Sequence, residues 1–209
     1  MPIKKDREYR NLGEFGTSDD YMVEGYASTF EPYEMFEQDG VKYYEQIDRH
    51  AFDDADMSDV VFLRDHTGRV LARTKNNSVE LSIDDHGLHQ RTNLGLTGAS
   101  KEMFEDIATG NYQQMSFSFV VAEDEYDRQT HTRIVKRVSK VFDISAVSFP
   151  ANPFTEIGVS ARDYFNGVIE AEKAERLECE RREKARKALM LKVKIMRGVS
   201  DGNQRNETR

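Results

Sequence analysis

The sequence predicts a mainly β fold with peripheral helices, a small closed or partly closed β-barrel that carries a charged helical segment after it. Three observations predict this. Short runs of alternating apolar and polar residues recur between residues 20 and 149, the mark of half-buried strands. Only one strong helix interrupts them, and the regular strand–helix–strand alternation of a parallel α/β sheet is absent. From about Asp163 the composition turns to a long run of glutamate, lysine and arginine.

Residues 1–19 read as an N-terminal arm. YMVEGYASTF, residues 21–30, reads as a strand with a glycine break at Gly25. A turn at Asp39-Gly40 divides PYEMFEQDGVKYYEQI into extended runs. HAFDDADM gives one short helical turn ahead of DVVFL, residues 59–63, a compact apolar strand. In RVLARTKNNSVELSIDDHGLHQRTNL, breaks at Asn76-Asn77 and His86-Gly87 leave three strands in a meander. TGASKEMFEDIATGN, residues 97–111, is the helix. Ser100 is placed to cap its start, Met103, Phe104 and Ile107 form its apolar face, and Gly110 stops it. The strands MSFSFVVAEDEYD and THTRIVKRVSKVFDISAVSF follow, ended by Pro150 and Pro153. The barrel domain is therefore expected over 20–161. A charged helical appendage is expected over 162–197, with Ala185, Ala188, Leu189, Val193 and Met196 as a stripe, and a disordered tail over 198–209.

The net charge of −8 is unevenly spread, about −12 over residues 1–161 and about +4 over 162–197. An acidic body repels a phosphate backbone, which argues against nucleic acid as a partner. The basic segment reads equally well as a solvated helix. One cysteine, Cys179, excludes an internal disulfide framework. No run of 18 apolar residues is present to span a membrane, and MPIKKDREYRNLGEF lacks the apolar core of a signal peptide. The expected setting is intracellular and reducing. Zinc needs three or four converging ligands; His86 and His89 flank a turn without a cysteine, so neither a metal nor a cofactor is expected. A glycine-rich phosphate loop, a G-x-S-x-G elbow and an H-E-x-x-H helix are all missing, which argues against an α/β-hydrolase but not against every serine nucleophile.

One stretch, QQMSFSFVV at 113–121, raises a specific question. Met115, Phe117 and Phe119 point to one face of a strand, Ser116 and Ser118 to the other. Two small hydroxyls on that second face mean that it is tightly covered, or that one hydroxyl is used for chemistry. His66 follows the VVFL run within RDHTGR, a strand end that holds a side chain while leaving it open to substrate, as a general base requires. Asp143 sits among Val141, Phe142, Ile144 and Ala146, where a buried or supporting carboxylate is expected. A serine–histidine–carboxylate relay needs these residue types brought together by folding, in any chain order. Spacing alone favours reading His66 as a loop histidine and Ser116 as a small strand residue.

Four stretches, in order, resemble the prohead (capsid maturation) serine proteases of tailed phages: VEGYASTF (23–30), VVFLRDHTGRVLART (60–74), GNYQQMSFSF (110–119) and FDISAVSFPANP (142–153). The resemblance frames roughly residues 20–160. It implies a barrel like that of the herpesvirus assembly proteases, to which this family is related in fold. In the family, the histidine before the VLAR-like strand is the base and the serine of the MSF strand is the nucleophile; these roles fall on His66 and Ser116. The third member is usually a glutamate, and the matching position here is Asp143. The chain also has Asp65 where the family often has asparagine, and Ser118 where it usually has glycine.

The resemblance thus implies a serine endopeptidase that cleaves capsid or scaffold proteins during prohead maturation, with self-processing and without a cofactor. Its partners would be the major capsid protein or its scaffold segment and further copies of itself, and its place the procapsid assembling in the host cytoplasm. The alternative is a non-enzymatic module that binds capsid or scaffold subunits through its charged helix. Such a module has no need for His66, Ser116 and Asp143 to converge.

Overall fold

The computed structural model describes residues 7–18, 20–148 and 159–204. Pro150, Pro153 and the end of the last expected strand at Phe149 lie outside the described residues. In chain order the elements are β1 (Arg7–Glu14), β2 (Gly16–Ser18), β3 (Met22–Thr29), β4 (Tyr33–Gln38), β5 (Val41–Ile47), β6 (Val61–Arg64), β7 (Thr67–Arg73), β8 (Val79–Ile83), β9 (Gly87–Asn93), α1 (Gly98–Ala108), β10 (Gln114–Asp127), β11 (Thr132–Val147) and α2 (Val159–Gln204).

The strands form two sheets, and neither closes, which corrects the expected β-barrel. The larger runs β1-β10-β11-β5-β4, with β6 attached to β11 and β7 to β6; the smaller runs β2-β3-β9-β8. A barrel needs one ladder continuous around its circumference. Here β11 divides one edge between two parallel partners, pairing Thr132–Val135 with Tyr44–Ile47 of β5 and Asp143–Ala146 with Val61–Arg64 of β6. The chain changes sheets at Phe15, between β1 and β2, without a ladder joining the two. Instead the backbones meet at glycines: a Cβ added to Gly13 would lie 1.9 Å from the Tyr26 carbonyl oxygen, and one added to Gly25 2.3 Å from that of Glu14. Side chains of both sheets and of α1 share one core, including Val23, Leu88, Phe117, Ile144, Met103 and Ile107.

Two local expectations also change. The cap of α1 is Thr97, which is extended in backbone and whose side-chain oxygen accepts from the Ser100 N–H, while the Ser100 hydroxyl donates to the Leu71 carbonyl oxygen at 2.7 Å. The stretch that reads as an N-terminal arm contains β1, antiparallel to β10 with Tyr9 opposite Ser118 and Asn11 opposite Ser116. On the other face of β1, Glu8 and Arg10 are buried. Arg10 donates to Glu45 at 2.5 and 2.7 Å and to Glu8 at 2.5 Å, and Arg133 donates to Glu8 at 2.9 Å and to Glu45 at 3.1 Å. Burial pushes the Glu8 carboxyl up, but the Arg10 and Arg133 charges and their hydrogen bonds outweigh it and hold the group below its ordinary value.

Two buried carboxylates and two buried guanidiniums meet in this cluster, with the half-buried Asp124 accepting from Arg133 at its edge at 2.6 Å, so removing one buried partner leaves a charge poorly compensated. Glu45→Gln is accordingly expected to destabilise the fold by about 3–5 kcal/mol, read as a lower urea midpoint at unchanged slope. A loss below about half a kcal/mol, the ordinary effect of a surface change, would contradict the buried network.

Considered by itself, α2 is a 46-residue helix. It continues to Gln204, through residues where a tail is expected from 198, and 205–209 lie outside the described residues. Pairs one turn apart line it, Glu178 with Arg182 at 2.5 Å and Glu183 with Lys187 at 3.7 Å. Leu189, Met190, Leu191, Val193 and Ile195 are exposed on it. No helix among the described residues is long and apolar enough to cross a membrane.

Candidate active site

The β10–β11 hairpin sets four polar side chains on one face of the large sheet, because residues directly opposite in an antiparallel pair share a face. Ser116 lies opposite Ser145, and Ser118 opposite Asp143. All four are buried, while Met115, Phe117 and Ile144 fill the core on the other face. The β1 residues Arg7 and Tyr9 cover the polar face. Of the two alternatives raised by the hydroxyls, the first holds: the face is tightly covered, and its polar groups are hydrogen-bonded to one another.

His66 reaches this face from the β6–β7 hairpin. Arg64 pairs with Thr67, leaving a two-residue loop of Asp65 and His66 with φ of 47° and 56°. Positive φ at both loop positions is the type I′ pattern, matched to strand twist but strained for residues other than glycine, asparagine and aspartate. The strain at His66 is held by neighbours. The Asp65 N–H donates to the Ala146 carbonyl oxygen at 2.9 Å, the Asp65 carboxylate accepts from the Ser148 N–H at 3.2 Å, and the His66 N–H donates to Ser145 Oγ at 3.2 Å. The turn is thus fastened to the end of β11, the strand that carries Asp143.

The three residues singled out by sequence come together. His66 Nδ1 lies 2.6 Å from Asp143 Oδ1, and His66 Nε2 lies 2.6 Å from Ser116 Oγ. A carboxylate is a pure acceptor, so the proton of a neutral imidazole belongs on Nδ1, and the Nε2 lone pair faces the Ser116 hydroxyl. The side chain of Asp143 is fully buried, and that of His66 is 17% exposed. Burial pushes the Asp143 carboxyl up; hydrogen bonds from His66 and Ser118, with the His66 and Arg7 charges, outweigh that and hold it below its ordinary value.

Three residues around this chain of groups escape the sequence reading. Ser145 Oγ donates to Asp143 Oδ1 at 2.9 Å, Arg7 Nη2 donates to Asp143 Oδ2, and Tyr9 meets the His66 ring edge-on with centroids 4.6 Å apart. Ser118 donates to Asp143 Oδ2 and accepts from Arg7. Elsewhere, His86 and His89 lie edge-on to Tyr26. No group of three or more His, Cys, Asp or Glu able to hold a metal occurs among the described residues.

A hydroxyl, an imidazole and a buried carboxylate hydrogen-bonded in series form the constellation of a serine hydrolase. The particular class comes from comparison: the caudovirus prohead serine protease family matches residues 7–168. The chain belongs to that family and is a serine peptidase of phage prohead maturation. The match begins at the first residue of β1, within the stretch that reads from sequence as an arm. No curated protein and no solved structure matches the chain.

Proposed function

We propose that the protein is an endopeptidase that cleaves the major capsid protein or its scaffold segment inside the assembling procapsid, with self-processing. Ser116 is the nucleophile, His66 the general base and Asp143 the residue that orients the imidazole. Ser116 Oγ attacks the scissile carbonyl carbon as its proton passes to His66 Nε2. The tetrahedral intermediate collapses, the C–N bond breaks, and the leaving amine takes that proton, leaving an ester on Ser116. Water then attacks the ester, gives its proton to Nε2 and releases the acid as Ser116 is re-protonated. Asp143 stays ionised throughout and offsets the charge of the imidazolium.

The observation that carries this reading is the unbroken hydrogen-bonded series from Ser116 through His66 to Asp143. A cleft of about 210 Å³, lined by Arg64, Thr67, Met103 and Asp106 among others, lies beside the His66 turn and supplies a recess for the peptide. A non-enzymatic assembly module would account for neither the series nor the family match.

The domain reading belongs to the same proposal: a protease domain followed by a helical appendage that docks on capsid or scaffold protein, or on another copy of the chain. The exposed Leu189 and Val193, one turn apart on α2, are the contact. Co-expression with the capsid precursor tests substrate and docking together. The parent chain is expected to process the precursor, and the Leu189→Glu/Val193→Glu variant to hydrolyse a short peptide at the parent rate but process the precursor several-fold more slowly. An intact precursor beside an enzyme active on peptides would reject this substrate; equal processing by both chains would reject the docking role.

A further inference from the structure

Asp143 is fully buried, yet donors from four segments of the chain saturate both of its oxygens. Oδ1 accepts from His66 Nδ1 at 2.6 Å and from Ser145 Oγ at 2.9 Å; Oδ2 accepts from Ser118 Oγ and from Arg7 Nη2. Of these donors Arg7 carries a permanent positive charge. Its placement is strongly determined. Arg7 Nε and Nη2 reach Ser118 Oγ at 3.0 and 2.5 Å, and the guanidinium lies 4.4 Å from the Phe142 ring centroid and 5.5 Å from that of Tyr9. Its strand is pinned on the opposite face by Glu8 and Arg10 in the buried ion cluster.

We propose that Arg7 is a positioning residue for the base, acting through the Asp143 oxygen turned away from the imidazole. It fixes the carboxylate rotamer and sets the pH at which the site switches on. The proposal rests on the reading of Ser116, His66 and Asp143 as one relay. A carboxylate held at Oδ2 by Arg7 and Ser118 cannot swing Oδ1 away from His66 Nδ1. The guanidinium charge also opposes the pull of the carboxylate on an imidazolium. Without that charge the imidazole keeps its second proton to higher pH, and in that form it cannot accept the proton of Ser116. Removing the charge must therefore move the acid limb of the kcat/KM profile upward.

The other charged or titratable groups nearby are Tyr9 on β1, Arg64 and Asp65 on the β6–β7 hairpin, Tyr112 before β10 and Lys140 on β11. Asp65 is engaged by the Ser148 N–H and the Tyr112 hydroxyl, and Lys140 by Asp56 at 2.5 Å. They are common to every Arg7 variant, so a change in the limb reports the guanidinium.

The test is kcat/KM from pH 5 to 9 on a fluorogenic peptide spanning a junction mapped in the processed capsid precursor. The parent chain is compared with Arg7→Met, Arg7→Gln and Arg7→Lys, each checked for folding by thermal unfolding. The acid limb is expected to rise by about half to one pH unit in the Met and Gln variants and to stay within about 0.2 unit in the Lys variant, which keeps the charge. Should the Met variant fail to fold, the Gln variant, which keeps a donor and loses only the charge, carries the same expectation. An equal loss at every pH with the limb unmoved, or a downward shift, would overturn the proposal and mark Arg7 as a packing residue. Ser116→Ala is assayed alongside. If it keeps full activity the relay reading fails and takes this proposal with it; if it is inactive while the limb stays fixed, the role of Arg7 alone fails.

Discussion

Ser116→Ala is expected to lower kcat/KM by on the order of 10⁴-fold or more, the scale on which a relay collapses once its nucleophile is gone. Folding should survive. Ser116 Oγ is a buried hydroxyl bonded to His66 Nε2, and its removal leaves an imidazole lone pair facing a methyl group, a loss of about 1–2 kcal/mol at most. Ser118→Ala provides the contrast. That hydroxyl bridges Arg7 and Asp143 and is not bonded to the imidazole, so its loss should loosen the carboxylate and reduce activity far less. Normal hydrolysis by a folded Ser116→Ala variant, with activity lost in Ser118→Ala instead, would exchange the two assignments.

Asp143→Asn has the second-largest expected effect. An amide in this position has one oxygen and one NH₂ to place among four donors. Whichever way it turns, an N–H faces a donor that needs an acceptor, and the negative charge that offsets the imidazolium is gone. If the NH₂ faces His66, the imidazole is driven to the tautomer with its proton on Nε2, which cannot accept from Ser116. A loss of about 10²- to 10⁴-fold in kcat follows, with little change in KM, since Asp143 is buried away from any peptide. Steady-state kinetics on a folded variant check this. Parent-like kcat would remove Asp143 from the mechanism.

Both effects concern residues to which the amino-acid sequence itself points. Alternation places Ser116 and Ser118 on one strand face, and the family resemblance carried by four motifs implies the proposed roles of His66, Ser116 and Asp143. Their meeting is not legible there, because it depends on β11 pairing with β10 along one edge and with β6 along the other. That same pairing defeats the barrel. Alternation specifies that a strand is half-buried, not which edge its partner occupies, so a divided edge and a closed ladder look alike in sequence.

The failure at β1 has a sharper cause. In REYRNLGE, Arg7 and Tyr9 cover the polar face while Glu8 and Arg10 enter a buried ion cluster on the other. Neither face is apolar over these residues, so a search for hydrophobic periodicity passes over them. A strand that closes the site therefore reads as an arm, and Arg7 goes unseen with it. The turn at Asp65-His66 is hidden in a similar way. Aspartate tolerates left-handed backbone better than most residues, but without glycine the hairpin signal is weak.

The central claim, that His66 activates Ser116, is tested most directly by covalent trapping. A fluorophosphonate transfers its phosphonyl group to an activated serine oxygen with loss of fluoride and of the hydroxyl proton. Tandem mass spectrometry of the digested protein then locates the adduct. The expected result is a single adduct on Ser116 of the parent chain, lost in His66→Ala. An adduct on Ser118 or Ser145 instead, or one on Ser116 that forms equally fast without the His66 imidazole, would contradict the account.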